Sequence, residues 1–143
     1  MVRSSESVEL SRSAEEVFAY VADLRNEPSW HVDIASVPPG ADPVPVPGKT
    51  YPLTFKPFMG KTDGSFTAVE VDPGRRIVYR AALAGLSPLI TYTVTQQGSG
   101  SRLTRSVEMK PDGLKVLMTP LMAWMVPRRN KTFVHNLKRT LES

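Results

Sequence analysis

Alternating polar and apolar residues, followed by apolar residues at helical spacing, organise the start of the chain. Residues 6–10 (ESVEL) alternate, a pattern that predicts a half-buried strand. Ser13 and Glu16 have the spacing of a capping box, and the apolar residues behind them repeat with helical periodicity. Residues 26–30 (NEPSW) predict a second short helical turn with Asn26 as its N-cap. We therefore expect one strand followed directly by two short helices.

From Val32 to Lys110 the pattern is that of β-structure. Residues 34–37 predict a short strand. Residues 38–47 contain five prolines, which cannot donate to a β-ladder and so indicate a loop or a frayed sheet edge. The remaining strands are predicted from alternation or from turn signals at residues 51–55, 62–71, 77–83, 90–94 and 103–109. The short spacing between them predicts an antiparallel meander.

The spacing of the apolar residues changes near the C-terminus, where they recur at steps of three and four. This spacing predicts a long amphipathic helix, with an apolar stripe that consists of Leu114, Leu117, Met118, Leu121, Met122, Met125, Phe133, Leu137 and Leu141. Thr119 and Pro120 are residue types suited to an N-cap and a first helical position, so we expect the helix to start or restart there. Pro127 lacks a backbone donor and is expected to kink or split the helix.

These elements predict an α+β fold in one domain, residues 1–143: a curved antiparallel sheet of six to seven strands, two short helices after the first strand, and a long C-terminal helix across the concave face. A curved sheet and a helix cannot touch along their whole length, so we expect a hollow that binds a hydrophobic small molecule. The alternative is that its lining side chains simply fill the core. The residues expected to line it are Tyr51, Phe55, Tyr79 and Tyr92 on strands, Met118, Met122, Trp124 and Met125 on the helix, and Trp30 near one rim.

Arg105 is the most informative polar residue, because alternation places it on the same face as Leu103 and Val107. A buried guanidinium needs an acceptor. The candidates are a ligand carboxylate or carbonyl, or a protein carboxylate such as Glu70 or Asp33. A third alternative is that the arginine extends to the cavity mouth.

The other polar candidates are two tyrosines and a histidine. The hydroxyls of Tyr79 and Tyr92 are suited to orienting a carbonyl or donating a proton, although a bond to a backbone carbonyl is the commoner arrangement. His31 is either a general base next to Asp33 or, as we expect, an exposed loop histidine. His135 lies outside the apolar stripe and receives no role. The catalytic residues therefore stay unknown.

Composition narrows the classes of function. The chain of 143 residues has no cysteine and only two histidines, so we predict no metal site and no cofactor. The longest apolar run, residues 121–126, is too short to cross a bilayer, and the first residues contain no signal-peptide core. We expect a cytoplasmic protein, a monomer or homodimer, without integral membrane association.

The net charge of +4 arises entirely in residues 128–143, which hold five cationic side chains and one carboxylate. Such a cluster suits a membrane surface or a phosphate backbone, or it is the solvated face of a C-terminal helix, where cations also suit the helix dipole. We favour the solvated face. The chain also lacks a phosphate loop and a dinucleotide fingerprint, and we do not expect nucleic-acid binding.

Four local sequences resemble a known superfamily: residues 8–11 (VELS), 14–24 (AEEVFAYVADL) with Trp30 six residues later, 71–79 (VDPGRRIVY) and 100–107 (GSRLTRSV). With the order of elements, they are similar over nearly the whole chain to START-like, Bet v 1-like and polyketide cyclase/dehydrase proteins of the helix-grip (SRPBCC) superfamily. The resemblance implies a helix-grip fold. Members bind lipids, sterols, hormones or polyketides, and some catalyse cyclisation, aromatisation or dehydration. The superfamily has no universal catalytic motif, so it transfers no catalytic residue.

Three hypotheses about function follow. The first is a binding or carrier protein for a lipid or polyketide-like ligand. The second is a cyclase, aromatase or dehydratase in which Arg105, Tyr79 and Tyr92 polarise carbonyls or move protons. Unpaired polar groups that converge on the cavity would favour the enzyme, and mutually paired ones the carrier. The third is a membrane-surface or protein-interaction module that uses residues 128–139.

Overall fold

In the computed structural model, the described residues are 1–31, 33–38, 40–58, 60–111 and 113–142, and they form an α+β fold. Val32, where the predicted β region begins, and Pro39 of the proline-rich segment lie outside them. The strands are β1 (Val2–Leu10), β2 (Ile34–Ser36), β3 (Thr50–Phe58), β4 (Lys61–Asp72), β5 (Arg76–Leu83), β6 (Leu89–Gln97) and β7 (Gly100–Met109). The helices are α1 (Ala14–Ala22), α2 (Glu27–Trp30) and α3 (Thr119–Glu142), and 3₁₀ turns at Leu24–Asn26 and Gly113–Met118 precede the last two.

The strands form one curled antiparallel sheet in the order β1-β7-β6-β5-β4-β3-β2. The predicted meander is confirmed, with the first strand paired to the last. In this register Arg105 of β7 lies opposite Tyr92 of β6 and Glu6 of β1. Every second residue of β7 is buried, so Arg105 lies on the inner face with Leu103 and Val107, as alternation predicted.

Local capping explains how the chain turns after β1. The Ser13 hydroxyl accepts a hydrogen bond from the Glu16 amide at 3.2 Å, which confirms Ser13 as the N-cap of α1. Asn26 stands at the predicted N-cap position of α2, but it makes no capping hydrogen bond: its backbone is helical, and its side chain donates to the Tyr20 carbonyl. Asn26 is the last residue of the preceding 3₁₀ turn, which accounts for its helical backbone. The capped element is that turn: the Asp23 side chain accepts a hydrogen bond from the Arg25 amide.

The C-terminal helix differs from its prediction at two places. α3 runs as one helix from Thr119 to Glu142 with Pro127 inside it, so the predicted split is wrong. Buried side chains on both sides of Pro127, such as Val126 and Asn130, hold the helix against the sheet. Leu117 and Leu121 were predicted to lie on the apolar stripe, but both are exposed. The residues before Thr119 form a 3₁₀ turn, which has fewer residues per turn than the α-helix that follows. A stripe with α-helical spacing therefore does not continue on one face through this turn.

Candidate functional site

A cavity of about 160 Å³ lies between α3 and the concave face of the sheet. Its polar lining residues are Lys56 and a connected group that forms a polar corner: His31, Asp33, Arg105, Arg129 and Asn130. Strands and α3 supply most of the apolar wall, which includes Phe55, Phe66, Leu83, Leu86, Ile90, Val107, Met122, Met125 and Val126. The arrangement is a mostly apolar hollow with a small polar corner, which is typical of a small-molecule site.

Large aromatic side chains fill much of the remaining interior. Trp30, Tyr79, Tyr92 and Phe66 are fully buried. The Trp30 and Tyr79 rings both meet the Tyr92 ring edge-on, with centroids 6.2 and 6.3 Å from it. Edge-to-face pairs stabilise a packed core beyond the burial of area alone. Three of the aromatic residues predicted to line the hollow (Trp30, Tyr79 and Tyr92) therefore pack in the core behind it.

Arg105 is buried, and its hydrogen bonds go to neutral partners. Its Nε donates to the Tyr92 hydroxyl at 3.1 Å, and an Nη donates to Asn130 Oδ1 at 2.8 Å. Asn130 Nδ2 donates in turn to the Arg105 carbonyl at 2.9 Å and to Ser4 Oγ at 3.1 Å. The guanidinium also lies 5.0 Å from the centroid of the Phe133 ring. Asn130 thus ties the guanidinium to α3 and to β1.

The predicted carboxylate partners of Arg105 are engaged elsewhere. Glu70 accepts from Arg76 Nε at 2.7 Å, at an exposed position. Asp33 accepts two hydrogen bonds from Arg129, including one from Arg129 Nε at 3.1 Å. The prediction of either residue as the partner of Arg105 is wrong, because α3 brings a second arginine to Asp33.

His31 is buried, so the prediction of an exposed loop histidine is wrong. Its ring stacks on Phe133 of α3 with centroids 4.1 Å apart, and its Nδ1 accepts from the Asp33 amide at 3.3 Å. Burial and the nearby Arg105 and Arg129 hold the pKa of His31 well below its usual range. The imidazole is therefore neutral at pH 7.

Glu27, in the first turn of α2, is the functional candidate that sequence reasoning missed. Its carboxyl group is completely buried, and neither oxygen has a hydrogen-bond partner in the described part of the chain. Burial raises the pKa of Glu27 to about 8, and the opposing effect of Arg105 is smaller. Glu27 is thus mostly protonated at pH 7. Its spacing of three from the buried Trp30 was the available signal, because residues i and i+3 share a helix face.

The predicted site residues separate into three groups. Phe55, Arg105, Met122 and Met125 line the cavity. Trp30, Tyr79 and Tyr92 pack behind it, and Tyr51 is buried with its hydroxyl donating to Asp42 at 2.6 Å. Met118 is half-buried, and Trp124 is 57 % exposed. The expectation that Trp124 faces the hollow is wrong, because Met122 and Val126 occupy the inner face of α3 at that height.

An exposed apolar patch surrounds the start of α3. Its members are Val116, Leu117, Leu121 and Trp124, whose exposed fractions run from 53 % to 82 %. Arg128 lies over the Trp124 ring, 4.3 Å from its centroid. Leu121, Trp124 and Arg128 follow one another at helical steps of three and four, so one face of α3 carries both apolar groups and a cation.

The described residues contain neither a cluster suited to a metal ion nor a helix suited to cross a membrane. No three His, Asp or Glu side chains in these ranges come close enough together to hold a metal ion. None of the described helices has the length and hydropathy needed to cross a membrane.

Comparison with known proteins places the chain by sequence pattern and by fold. The family model described as "Polyketide cyclase / dehydrase and lipid transport" matches residues 1–142. No curated protein matches the chain.

Solved structures share the fold at low sequence identity. A START superfamily protein from Mycobacterium smegmatis is 16 % identical with a TM-score of 0.74, over 98 % of this chain and 97 % of that one. DynU16, from the dynemicin biosynthetic locus, is 16 % identical with a TM-score of 0.72; all of this chain aligns, but it spans only 48 % of DynU16. The Aha1 dimer from Colwellia psychrerythraea is 15 % identical with a TM-score of 0.64, over 99 % and 97 % of the two chains.

Proposed function

Because the chain belongs to the polyketide cyclase/dehydrase and lipid transport family, we propose that it binds a small hydrophobic molecule in the cavity between α3 and the sheet. The observation that carries the proposal is the cavity itself, with an apolar wall from both layers and one polar corner. A hydrophobic guest would gain from leaving water, and the polar corner would fix its orientation.

The size of the cavity favours a compact guest. Its volume of about 160 Å³ is close to that of an engineered protein cavity of about 150 Å³ that holds benzene. Sites for drug-sized ligands are larger, roughly 300–1,000 Å³. Of the two ligand classes that the sequence suggested, the volume supports a polyketide-like molecule of about one ring over a full-length lipid.

The pairing of the polar groups favours a carrier over an enzyme. Arg105 and Asn130 bond to each other, and Asp33 bonds to Arg129. The Tyr79 hydroxyl, which has no hydrogen-bond partner among the described residues, lies in the core and does not line the cavity. Burial raises the pKa of Tyr79 and Tyr92, which makes both phenols poor proton donors near neutral pH. These observations give the cyclase, aromatase or dehydratase alternative less support.

A bulky side chain at Met122 tests the binding site. Met122 is fully buried and lines the cavity, whereas Leu121, its neighbour on α3, is exposed and serves as the matched control. We expect toluene to shift the Met122 and Met125 methyl resonances of the unmodified protein. Toluene binding should be lost in Met122→Trp and retained in Leu121→Trp.

Two outcomes would contradict the proposal. One is unchanged toluene binding in a folded Met122→Trp variant. The other is the absence of binding by toluene, naphthalene and palmitate alike. If toluene binding behaves as expected, native mass spectrometry of protein purified from its own host would identify the natural guest by its mass.

A second candidate function is docking to an anionic membrane surface, and the exposed patch of Val116, Leu117, Leu121 and Trp124 favours it. Apolar side chains next to cations are the combination that binds the interface of an anionic bilayer. The chain has cations next to this patch: Arg128 lies over the Trp124 ring, and residues 128–143 hold the excess positive charge.

The two tryptophans make this candidate measurable by fluorescence. Trp30 is buried and Trp124 is exposed, so a blue shift on adding vesicles would report on Trp124. We expect a blue shift with phosphatidylserine-containing vesicles, and a weaker one at high salt or in Leu117→Ser. No shift at low salt, or an equal shift with pure phosphatidylcholine vesicles, would argue against anionic docking.

A further inference from the structure

We propose that the guest of this cavity is an anion of about one ring, whose carboxylate or equivalent oxyanion binds the Arg105 guanidinium. The inference rests on the proposed binding function and adds the charge of the ligand. Three features carry it: the unneutralised charge of Arg105, the excess of cations around the cavity, and the apolar wall of the same cavity.

The first feature is a buried cation without a hydrogen-bonded carboxylate. Arg105 is 3 % exposed, and its partners in the described chain are the Tyr92 hydroxyl and the Asn130 amide, both neutral. Only two of its five N–H donors are used in these bonds. Removing a charge from water is costly unless an opposite charge or strong acceptors replace the water. An anionic ligand would supply both the charge and the acceptors.

The second feature is the balance of charge around the cavity. Lys56, Arg105 and Arg129 line it, against the single carboxylate of Asp33. Asp33 is already bonded to Arg129. The pKa of His31 is lowered first by burial and then by the two arginines, which agrees with this excess of cations at the polar corner. That excess disfavours a cationic guest and favours an anionic one.

Glu27 is the nearest alternative source of negative charge. It acts electrostatically on Arg105, but it makes no hydrogen bond with Arg105 and does not line the cavity. Because its pKa is about 8, it is mostly uncharged at pH 7 and leaves the charge of Arg105 largely uncompensated.

The third feature is the position of the apolar wall. Met122, Val126 and Ile90 form part of a wall that faces away from water, while Arg105 and Asn130 stand at the polar corner. A planar ring would bury against the wall, and an oxyanion attached to it would receive the spare guanidinium donors. A charge-assisted pair of this kind is roughly twice as strong as a neutral hydrogen bond.

Benzoate and benzamide form the test pair, because they share a ring and a shape and differ in charge at pH 7. Titrations of the unmodified protein, followed by calorimetry and by the Met122 methyl resonance, should show benzoate binding at least about tenfold more tightly. This comparison needs no variant, so it is not affected if a variant of Arg105 fails to fold.

Variants then assign the preference to Arg105. Arg105→Gln should remove the preference for benzoate, and Arg105→Lys should retain part of it, because lysine keeps the charge but not the planar fork. Arg128→Gln is the matched control, since it removes an exposed cation of α3 that does not line the cavity. It should leave the preference within about twofold.

The outcomes separate this inference from the function on which it rests. If toluene and benzamide bind as tightly as benzoate, the cavity binds hydrophobic guests but the anion inference is wrong. If none of the three binds, and naphthalene and palmitate fail to bind as well, the proposed function itself fails. Equal loss of the preference in Arg128→Gln and Arg105→Gln, or its persistence in Met122→Trp, would show that benzoate binds elsewhere and would also overturn the inference.

Discussion

The buried carboxyl group of Glu27 makes the stability of this protein depend on pH, and Glu27→Gln isolates that dependence. Glu27 is fully buried without a hydrogen-bond partner in the described residues. Burial raises its pKa from 4.5 to about 8. Glutamine keeps the size and polarity of the protonated side chain but cannot ionise, so the substitution removes one titration and little else.

The sign and size of the effect follow from the two pKa values. Between pH 4.5 and about 8, the unfolded chain has lost the Glu27 proton and the folded protein has kept it. Each unit of rising pH in this window lowers the free energy of unfolding by about 1.4 kcal/mol. From pH 5 to pH 8 the loss amounts to roughly 3–4 kcal/mol, a large part of the stability of a small domain.

His31 opposes this trend at the acidic end. Its pKa is held well below the usual 6.5, so the folded protein keeps it neutral while the unfolded chain becomes protonated as the pH falls below 6.5. The stability contributed by His31 is present above pH 6.5 and decreases on acidification. Below pH 6.5 the His31 slope opposes the Glu27 slope, and above pH 6.5 only the Glu27 slope remains.

Urea denaturation at pH 5, 6, 7 and 8 measures the effect in both proteins. The advantage of Glu27→Gln over the unmodified protein should grow by roughly 3–4 kcal/mol from pH 5 to pH 8. In the variant alone, stability should rise through pH 6.5 and then level off, since His31 titrates without Glu27. Parallel stability curves for the two proteins would refute the reasoning, because they would mean that folding does not change the ionisation of Glu27.

Three further predictions concern stability. Asn130→Ala should destabilise the protein by about 2–4 kcal/mol, measured by urea denaturation, because it removes three hydrogen bonds and leaves one buried Nη of Arg105 without its acceptor. A loss below about 1 kcal/mol would contradict this. Gly100→Ala should lower the free energy of unfolding by about 1–3 kcal/mol, since a Cβ there would collide with the Leu10 carbonyl oxygen. An unchanged thermal midpoint would argue against the collision. Trp124→Ala should change stability by no more than about 0.5 kcal/mol because Trp124 is exposed, and a larger loss would show that Trp124 packs against the fold.

Sequence reasoning succeeded where the controlling interactions are local. The Ser13–Glu16 cap depends on residues three apart, and the inward direction of Arg105 depends on alternation along β7. The antiparallel meander follows from strands too closely spaced for crossover connections. These features are set by backbone geometry and by neighbours in sequence, so the pattern of residue types is sufficient to predict them.

Only the tertiary structure decided what surrounds those side chains. His31 and Asp33 meet Phe133 and Arg129 of α3, and Asn130 meets Arg105, across separations of about 25 to 100 residues. No local pattern contains the position of α3 on the sheet, and that position buries His31 and exposes Trp124. Burial in turn determines whether Glu27 and His31 carry charge, because solvation of a charged group depends on all the elements that exclude water from it. The amino-acid pattern therefore determined the fold and the inward-facing arginine, while long-range packing decided the size and charge of the site.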